Sequence, residues 1–204
     1  MERYQGFKQR LLLPLLRALD RIGVTPDGIT GISLLLGLIF CPFYLWGDFS
    51  SPAGYGWVVA AWVVLLAHVI VDGIDGPLAR FQNVAGPRGS FTDTLADQVA
   101  LAASTLTFIA AEPLGLPGLG LFAGGAYLFL YTVVVAFAMV RNALDIPYRF
   151  VLRPRYWVLL LLFIECFLWR TPAMALVTEA FVWAFNILLG WHVWEGFLAI
   201  RRKM

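Results

Sequence analysis

Over most of this chain the apolar residues run on without interruption. Six such runs occupy residues 29–46, 56–78, 91–111, 119–140, 156–169 and 174–200. A helix needs roughly 20 residues to cross the hydrocarbon core of a bilayer, so the pattern predicts six transmembrane helices, the fifth of them short. Ahead of the runs the pattern changes. Within residues 1–23, Phe7, Leu11, Leu12, Leu15, Leu16 and Leu19 interleave with Arg3, Lys8, Arg10, Arg17 and Arg21, the arrangement of a basic amphipathic helix lying in the headgroup layer rather than of a cleavable signal. Pro14 is expected to kink or divide that helix. Thr25 or Asp27 can cap the first span, with Pro26 in its first turn. Gly86 and Pro87 mark residues 81–88 as a turn, and residues 47–55 and 112–118 read as short Gly/Pro/Ser-containing loops.

Composition sharpens this picture. The 204 residues are 60% hydrophobic, with a mean hydropathy of +0.78, which excludes an ordinary soluble domain. The expected fold is an all-α integral membrane protein of six transmembrane helices, organised as a juxtamembrane segment (1–23) and one membrane domain (24–204). With six spans and the N-terminus inside, every cation except Arg170 falls on the inner side. The positive-inside rule then places both termini and the 81–88 turn in the cytoplasm of a multi-pass cell-membrane protein. A net charge of +2 carried by scattered loop cations gives no reason to expect a nucleic-acid partner. Cys41 and Cys166 fall inside spans without metal-ligand spacing and read as packing residues. His68 and His192 read as hydrogen-bonded interior histidines.

Four acids break the second and third runs. Asp72 and Asp75 are three residues apart and Asp93 and Asp97 four apart, so on helices each pair projects from one face. Ionisable residues within a span cost ~2.5–3.5 kcal/mol each on insertion scales. Two antiparallel helices joined by the 81–88 turn gather all four carboxylates, about 10–12 Å deeper than Arg80 and Gly89. The least costly neutralisation of four hard oxygen donors is one or two hard divalent cations such as Mg2+ or Mn2+, and a two-metal site is the leading reading. The alternatives are buried acids that cap or bridge helices, and a proton relay in a transporter.

In Asp72, Asp75, Gly76, Ala79, Arg80, Gly89, Asp93 and Asp97 the chain resembles the CDP-alcohol phosphotransferase (CDP-alcohol phosphatidyltransferase class I) family, whose signature D-x2-D-G-x2-A-R-x8-G-x3-D-x3-D these residues reproduce with every spacing intact. The resemblance implies a phospholipid-synthesis enzyme, homodimeric in relatives, that moves the phosphatidyl group of CDP-diacylglycerol to a small alcohol and releases CMP with the help of two divalent cations. It implies Asp72, Asp75 and Asp93 as principal metal ligands, and Asp97 as general base and further metal ligand. Asp72, Thr30, Gly76, Ala79, Arg80 and Gly89 would hold the CDP moiety, the glycines and Ala79 by lacking bulk, with Gly89 also serving the turn.

Arg141, Arg149, Arg153 and Arg155 form a second cluster, which topology alone can explain. Its Arg-Pro-Arg run also resembles the segment that holds an acceptor's phosphate in inositol-phosphate-using relatives, although Leu152 and Met139-Val140 depart from that pattern. A phosphorylated polyol such as inositol phosphate or glycerol 3-phosphate is the expected acceptor. A CDP-aminoalcohol phosphotransferase acting on diacylglycerol and, from another class, a divalent-ion transporter are the alternatives. Transport would call for polar residues in the outer halves of the spans, and those halves are almost wholly apolar and aromatic.

Overall fold

The computed structural model describes residues 2–146 and 154–204. They form α1 (Glu2–Arg21), α2 (Pro26–Leu45), α3 (Pro52–Phe81), α4 (Pro87–Ala111), α5 (Leu121–Ala143), α6 (Pro154–Phe167) and α7 (Pro172–Lys203), with a short 3-10 turn, Glu112–Leu114, after α4. No strand occurs among the described residues. Five helices (α2, α3, α4 with its following turn, α5 and α7) are long and apolar enough to cross a membrane. Large apolar side chains, among them Leu35, Leu66, Phe122, Phe129 and Ile187, stand in the open on these helices. Such a surface suits lipid rather than water, and the chain is a multi-pass membrane protein. At 14 residues, α6 extends only ~21 Å, shorter than the hydrocarbon core.

Local signals explain where the helices begin. Proline occupies the first turn of α2, α3, α4 and α7, where its missing N–H costs nothing and its fixed φ suits the helix. Thr25 and Ser51 cap α2 and α3 by accepting from Gly28 N at 3.2 Å and Gly54 N at 3.1 Å. The expected division at Pro14 does not occur, since α1 runs through it. Leu12 and Leu16, on either side of the proline, pack with Leu19 against Ile29 and Leu78, and that packing outweighs one lost backbone bond.

The bundle is held differently at its two ends. Far from the α3–α4 turn, Phe40, Tyr44, Trp62 and Phe108 form an aromatic cluster, its contacting rings 5.2 to 6.5 Å apart. Their polar tips are satisfied: the Tyr44 hydroxyl donates to Pro117 O at 2.7 Å, and Trp62 Nε1 donates to Cys166 Sγ at 3.3 Å. Both cysteines are free. At the other end, Gln82 Nε2 donates to Asp20 Oδ1 and to Val24 O, both at 3.0 Å, tying α1 and the α1–α2 connection to the end of α3. Between these ends Gly37 lets α2 approach α4, because a Cβ there would stand 3.0 Å from that of Ala100. The neighbouring His68 is an interior hydrogen-bonded histidine, its Nδ1 2.9 Å from Ser33 O.

Candidate functional site

The α3–α4 turn is short because Asn83 takes the left-handed conformation (φ 58°), which asparagine tolerates better than most residues. Val84 N then donates to Ala79 O at 2.9 Å and closes the end of α3. The two helices return antiparallel, and one carboxylate oxygen from each of Asp72, Asp75 and Asp93 lies within 4.8 Å of the others. Oxygens on opposite sides of a Mg2+ ion, at 2.0–2.1 Å each, stand about 4.2 Å apart, so modest side-chain adjustment lets this trio hold a hard divalent cation. Asp75 is the most buried of the three, 7% exposed. Thr30 Oγ1 donates to its Oδ2 at 2.8 Å, and the Gly76 N–H donates to its Oδ1 at 2.6 Å. Thr30 thus orients a carboxylate from across the α2–α3 interface.

Asp97 is held by a partner that its spacing gave no reason to expect. In the first turn of α6, Arg155 places Nη1 2.7 Å from Asp97 Oδ2 and Nη2 3.6 Å from Asp72 Oδ2. Arg155 Nη2 also donates to Tyr156 Oη at 3.1 Å. Asp97 Oδ1 is buried without a hydrogen-bond partner among the described residues.

The four carboxylates divide between two spaces. On one side lies an open groove whose lining includes Thr25, Thr30, Asp75, Gly76, Ala79, Arg80, Arg88, Gly89 and Asp93. On the other lies an interior cavity whose lining includes His68, Asp72, Asp97, Ser104, Thr105, Tyr127, Arg155 and Tyr156. Helical periodicity causes the division. Residues three apart differ by about 60° around the axis and residues four apart by about 40°, enough for Asp75 and Asp93 to face the groove while Asp72 and Asp97 face the cavity. The carboxylates are the wall between the two spaces.

In the groove, the Arg80 guanidinium folds back over Gly76, where a Cβ would lie 3.5 Å from its Nη1. A Cβ on Gly89 would meet nothing within 4 Å and would project into open space. Gly89 is the third residue of α4 and does not form the turn, where Asn83 takes the positive φ. The α4 N-terminus, capped by Gly86, receives no side-chain hydrogen bond, so its first N–H groups are open to an anion.

Every residue of the eight-residue signature lies either at the groove or at the cavity. The second arginine cluster divides. Arg155 enters the site, Arg141 sits in the last turn of α5 and is not among the side chains lining either space, and Arg149 and Arg153 lie outside the described residues. Tyr127 and Tyr156 were not candidates on sequence, because an aromatic residue within an apolar run carries no signal of what it faces.

A family model described as CDP-alcohol phosphatidyltransferase matches residues 23–195. The chain belongs to that family. It is 36% identical over 103 residues to the inner membrane protein YnjF of Escherichia coli, covering 50% of this chain and 45% of the relative. It is 36% identical over 85 residues to the CDP-diacylglycerol–serine O-phosphatidyltransferase of Helicobacter pylori, covering 41% of this chain and 32% of the relative. The chain therefore aligns with less than half the length of these relatives. Among solved structures, the fold matches Mycobacterium tuberculosis phosphatidylinositol phosphate synthase with CDP-DAG bound (TM-score 0.71, 19% identity, 94% of each chain). It also matches the same protein in complex with manganese and citrate (TM-score 0.70, 19% identity, 92% of this chain and 87% of that one). At this identity the match establishes the fold.

Proposed function

We propose that this membrane enzyme transfers the phosphatidyl group of CDP-diacylglycerol to a small alcohol, with release of CMP. The observation that carries the reading is the wall of four carboxylates between a groove fit for a nucleotide and an interior cavity. The groove offers Arg80, Arg88 and the open α4 N-terminus to a diphosphate, with the bare faces of Gly76, Ala79 and Gly89 for a close-lying nucleotide. Thr30 in the groove, and Asp72 from the cavity side, complete the set proposed to hold the CDP moiety. Between α3 and α6 an apolar furrow, lined by Val59, Trp62, Leu66, Leu160 and Phe163, shares Leu65, Val69, Tyr156 and Leu159 with the cavity. Such a furrow suits acyl chains entering from the bilayer.

Asp72, Asp75, Asp93 and Asp97 would hold two divalent cations, Mg2+ or Mn2+, whose chemistry is to neutralise charge on the attacked phosphate and the departing one. The protein's own residues do the rest. Asp97, on the cavity lining with Oδ1 unpartnered among the described residues, would take the proton of the acceptor hydroxyl, while Arg155 holds the other oxygen of the same carboxylate. The alcohol oxygen bonds to the lipid-bearing phosphorus, the bond from that phosphorus to the bridging oxygen breaks, and the bridging oxygen leaves with CMP. An acceptor that carries its own phosphate, such as inositol phosphate or glycerol 3-phosphate, fits the arginines of the 141–155 region. The same reading has residues 24–204 as one membrane domain with six spans, and the site and both termini cytoplasmic. The enzyme works in it as a homodimer.

The test is a CMP-release assay with purified protein, CDP-diacylglycerol and a panel of alcohols, run with Mg2+, with Mn2+ and with chelator. Metal-dependent release with one alcohol class is the expected result. No release with any alcohol refutes the transferase reading.

A further inference from the structure

Arg170, between α6 and α7, is the one cation that six spans would leave on the outer side. At the end of the bundle away from the α3–α4 turn it lines a recess together with Glu112, Glu165, Leu176 and Glu179. None of these residues lines the groove or the cavity. The guanidinium carbon stands 3.6 Å from the centre of the Phe49 ring, so cation–π attraction holds the group in place. Among the described residues Arg170 forms no ion pair with any acid.

The acids of the recess are not alike. Glu179 is settled, its Oε2 accepting from Gly120 N and its Oε1 from Trp183 Nε1, both at 3.2 Å. Glu165 is 7% exposed and only half satisfied. Thr178 Oγ1 donates to its Oε2 at 3.0 Å, whereas Oε1 has no hydrogen-bond partner among the described residues and is not shut off from solvent. A buried carboxylate oxygen calls for a donor, and an acid within a membrane bundle is costly unless something binds it.

A carboxylate held by Thr178 and a guanidinium held by Phe49 thus line one recess, opposite in sign and not paired with each other. A ligand that satisfies both brings an anion for the arginine fork and an N–H donor for the carboxylate. With Glu112 also on the lining the acids outnumber the arginine, so the ligand needs its cation as well as its anion. The surroundings are apolar: Leu114, Leu168, Trp169 and Leu176 stand in the open around the same helix ends. Such a surface suits lipid, and a tryptophan at a helix end suits the level of the headgroups.

We propose that this recess binds the headgroup of a zwitterionic phospholipid that carries a primary ammonium, a phosphatidylethanolamine, with its phosphate on Arg170 and its ammonium donating to Glu165 Oε1. The site stands apart from the transferase reading and does not depend on it.

The experiment titrates the delipidated full chain in detergent with three phospholipids of identical acyl chains, bearing ethanolamine, choline or glycerol headgroups, and reads each Kd by native mass spectrometry. The ethanolamine lipid should bind about tenfold more tightly than the choline lipid, which has no N–H, and than the glycerol lipid, which has no cation. Glu165→Gln should bring the ethanolamine and choline lipids within about twofold of each other. Arg170→Gln should weaken the ethanolamine lipid about tenfold, with helical circular dichroism unchanged in both variants. Glycerophosphoethanolamine, the same headgroup without acyl chains, should displace the lipid only at about hundredfold excess or more.

Equal Kd values in the wild type for the ethanolamine lipid and either of the others overturn the proposal, and this arm needs no variant. An ethanolamine preference that survives both substitutions overturns it too, because the headgroup then sits elsewhere. Displacement by glycerophosphoethanolamine at equal concentration would make the ligand a soluble phosphoamine and overturn the assignment to lipid.

Discussion

The groove and the cavity are built from the same two helices and meet at the same carboxylates, yet they are assembled in different ways. Nearly all of the groove comes from one stretch, the α3–α4 hairpin, supplemented by the start of α2. The cavity draws residues from five helices, several each from α3, α4 and α6 and one each from α2 and α5. A local surface tolerates change elsewhere in the bundle. A space assembled from five helices depends on how all of them pack, and its charges must be settled internally, as Arg155 does for Asp72 and Asp97. The groove is thus a surface for a charged, partly solvated ligand, and the cavity is a buried one where each unpaired atom signifies.

The strongest way to break the comparison is to breach the wall. Asp93→Asn removes one of three clustered carboxylates, and should lower metal-dependent CMP release by more than the ~10–100-fold that a mere outer-sphere change costs. Mn2+ titration by electron paramagnetic resonance should show weakened binding with the helical circular dichroism intact. Near wild-type release at saturating Mg2+ would remove Asp93 from the metal site.

Next comes Arg155→Ala, which separates the two spaces. It leaves two carboxylates without their counter-ion and should destabilise the bundle by up to about 3 kcal/mol, since the side chain is 16% exposed and not fully desolvated. Acceptor KM should rise while affinity for the CDP-lipid holds. An equal loss of donor affinity would mean that the wall does not divide the ligands.

Arg80→Ala is the converse, on the groove side. Loss of a charge-assisted contact should raise the donor KM by about tenfold with little change in acceptor KM, as measured by varying each substrate at saturation of the other. Gly89→Ala is gentler: its new methyl meets no protein atom, so the thermal midpoint should not move, whereas donor affinity should fall about fivefold if the nucleotide lies against that helix. A Gly89→Ala protein with unchanged donor affinity would place the nucleotide elsewhere.

The smallest effect lies outside both spaces and serves as the control. Asp48, in the α2–α3 loop, is held below the usual carboxylate range by the Ser50 hydroxyl on Oδ2 at 2.5 Å and then by the Ser50 N–H on Oδ1 at 2.8 Å. Because the folded state binds the proton less readily, this contribution is complete above the unfolded value of about 3.9 and disappears as pH falls through the lower folded value. Asp48→Asn should therefore leave the activity–pH profile unchanged between pH 5 and 8 and alter only the acid limb of unfolding. A changed activity profile in that window would mean that the loop communicates with the site.

Much of this was legible in the chain because the deciding physics is local. Uninterrupted apolar runs imply helices in lipid, since only a helix satisfies its own backbone there. Pro26, preceded by Thr25, marks where the first span begins. The spacing of Asp72, Asp75, Asp93 and Asp97 about one short turn is enough to gather carboxylates, and Gly76, Arg80 and Gly89 fall in the groove for the same reason. Tertiary structure decided what spacing cannot contain. It opened two separate spaces beside the carboxylates, brought Arg155 from a helix more than fifty residues later in the chain to pair with Asp97 and Asp72, and buried Tyr127 on the cavity lining. It also continued α1 through Pro14 without a break. Each of these outcomes depends on contacts between residues far apart in sequence, where a few ångströms of helix rotation decide whether a polar atom meets a partner, a ligand or nothing.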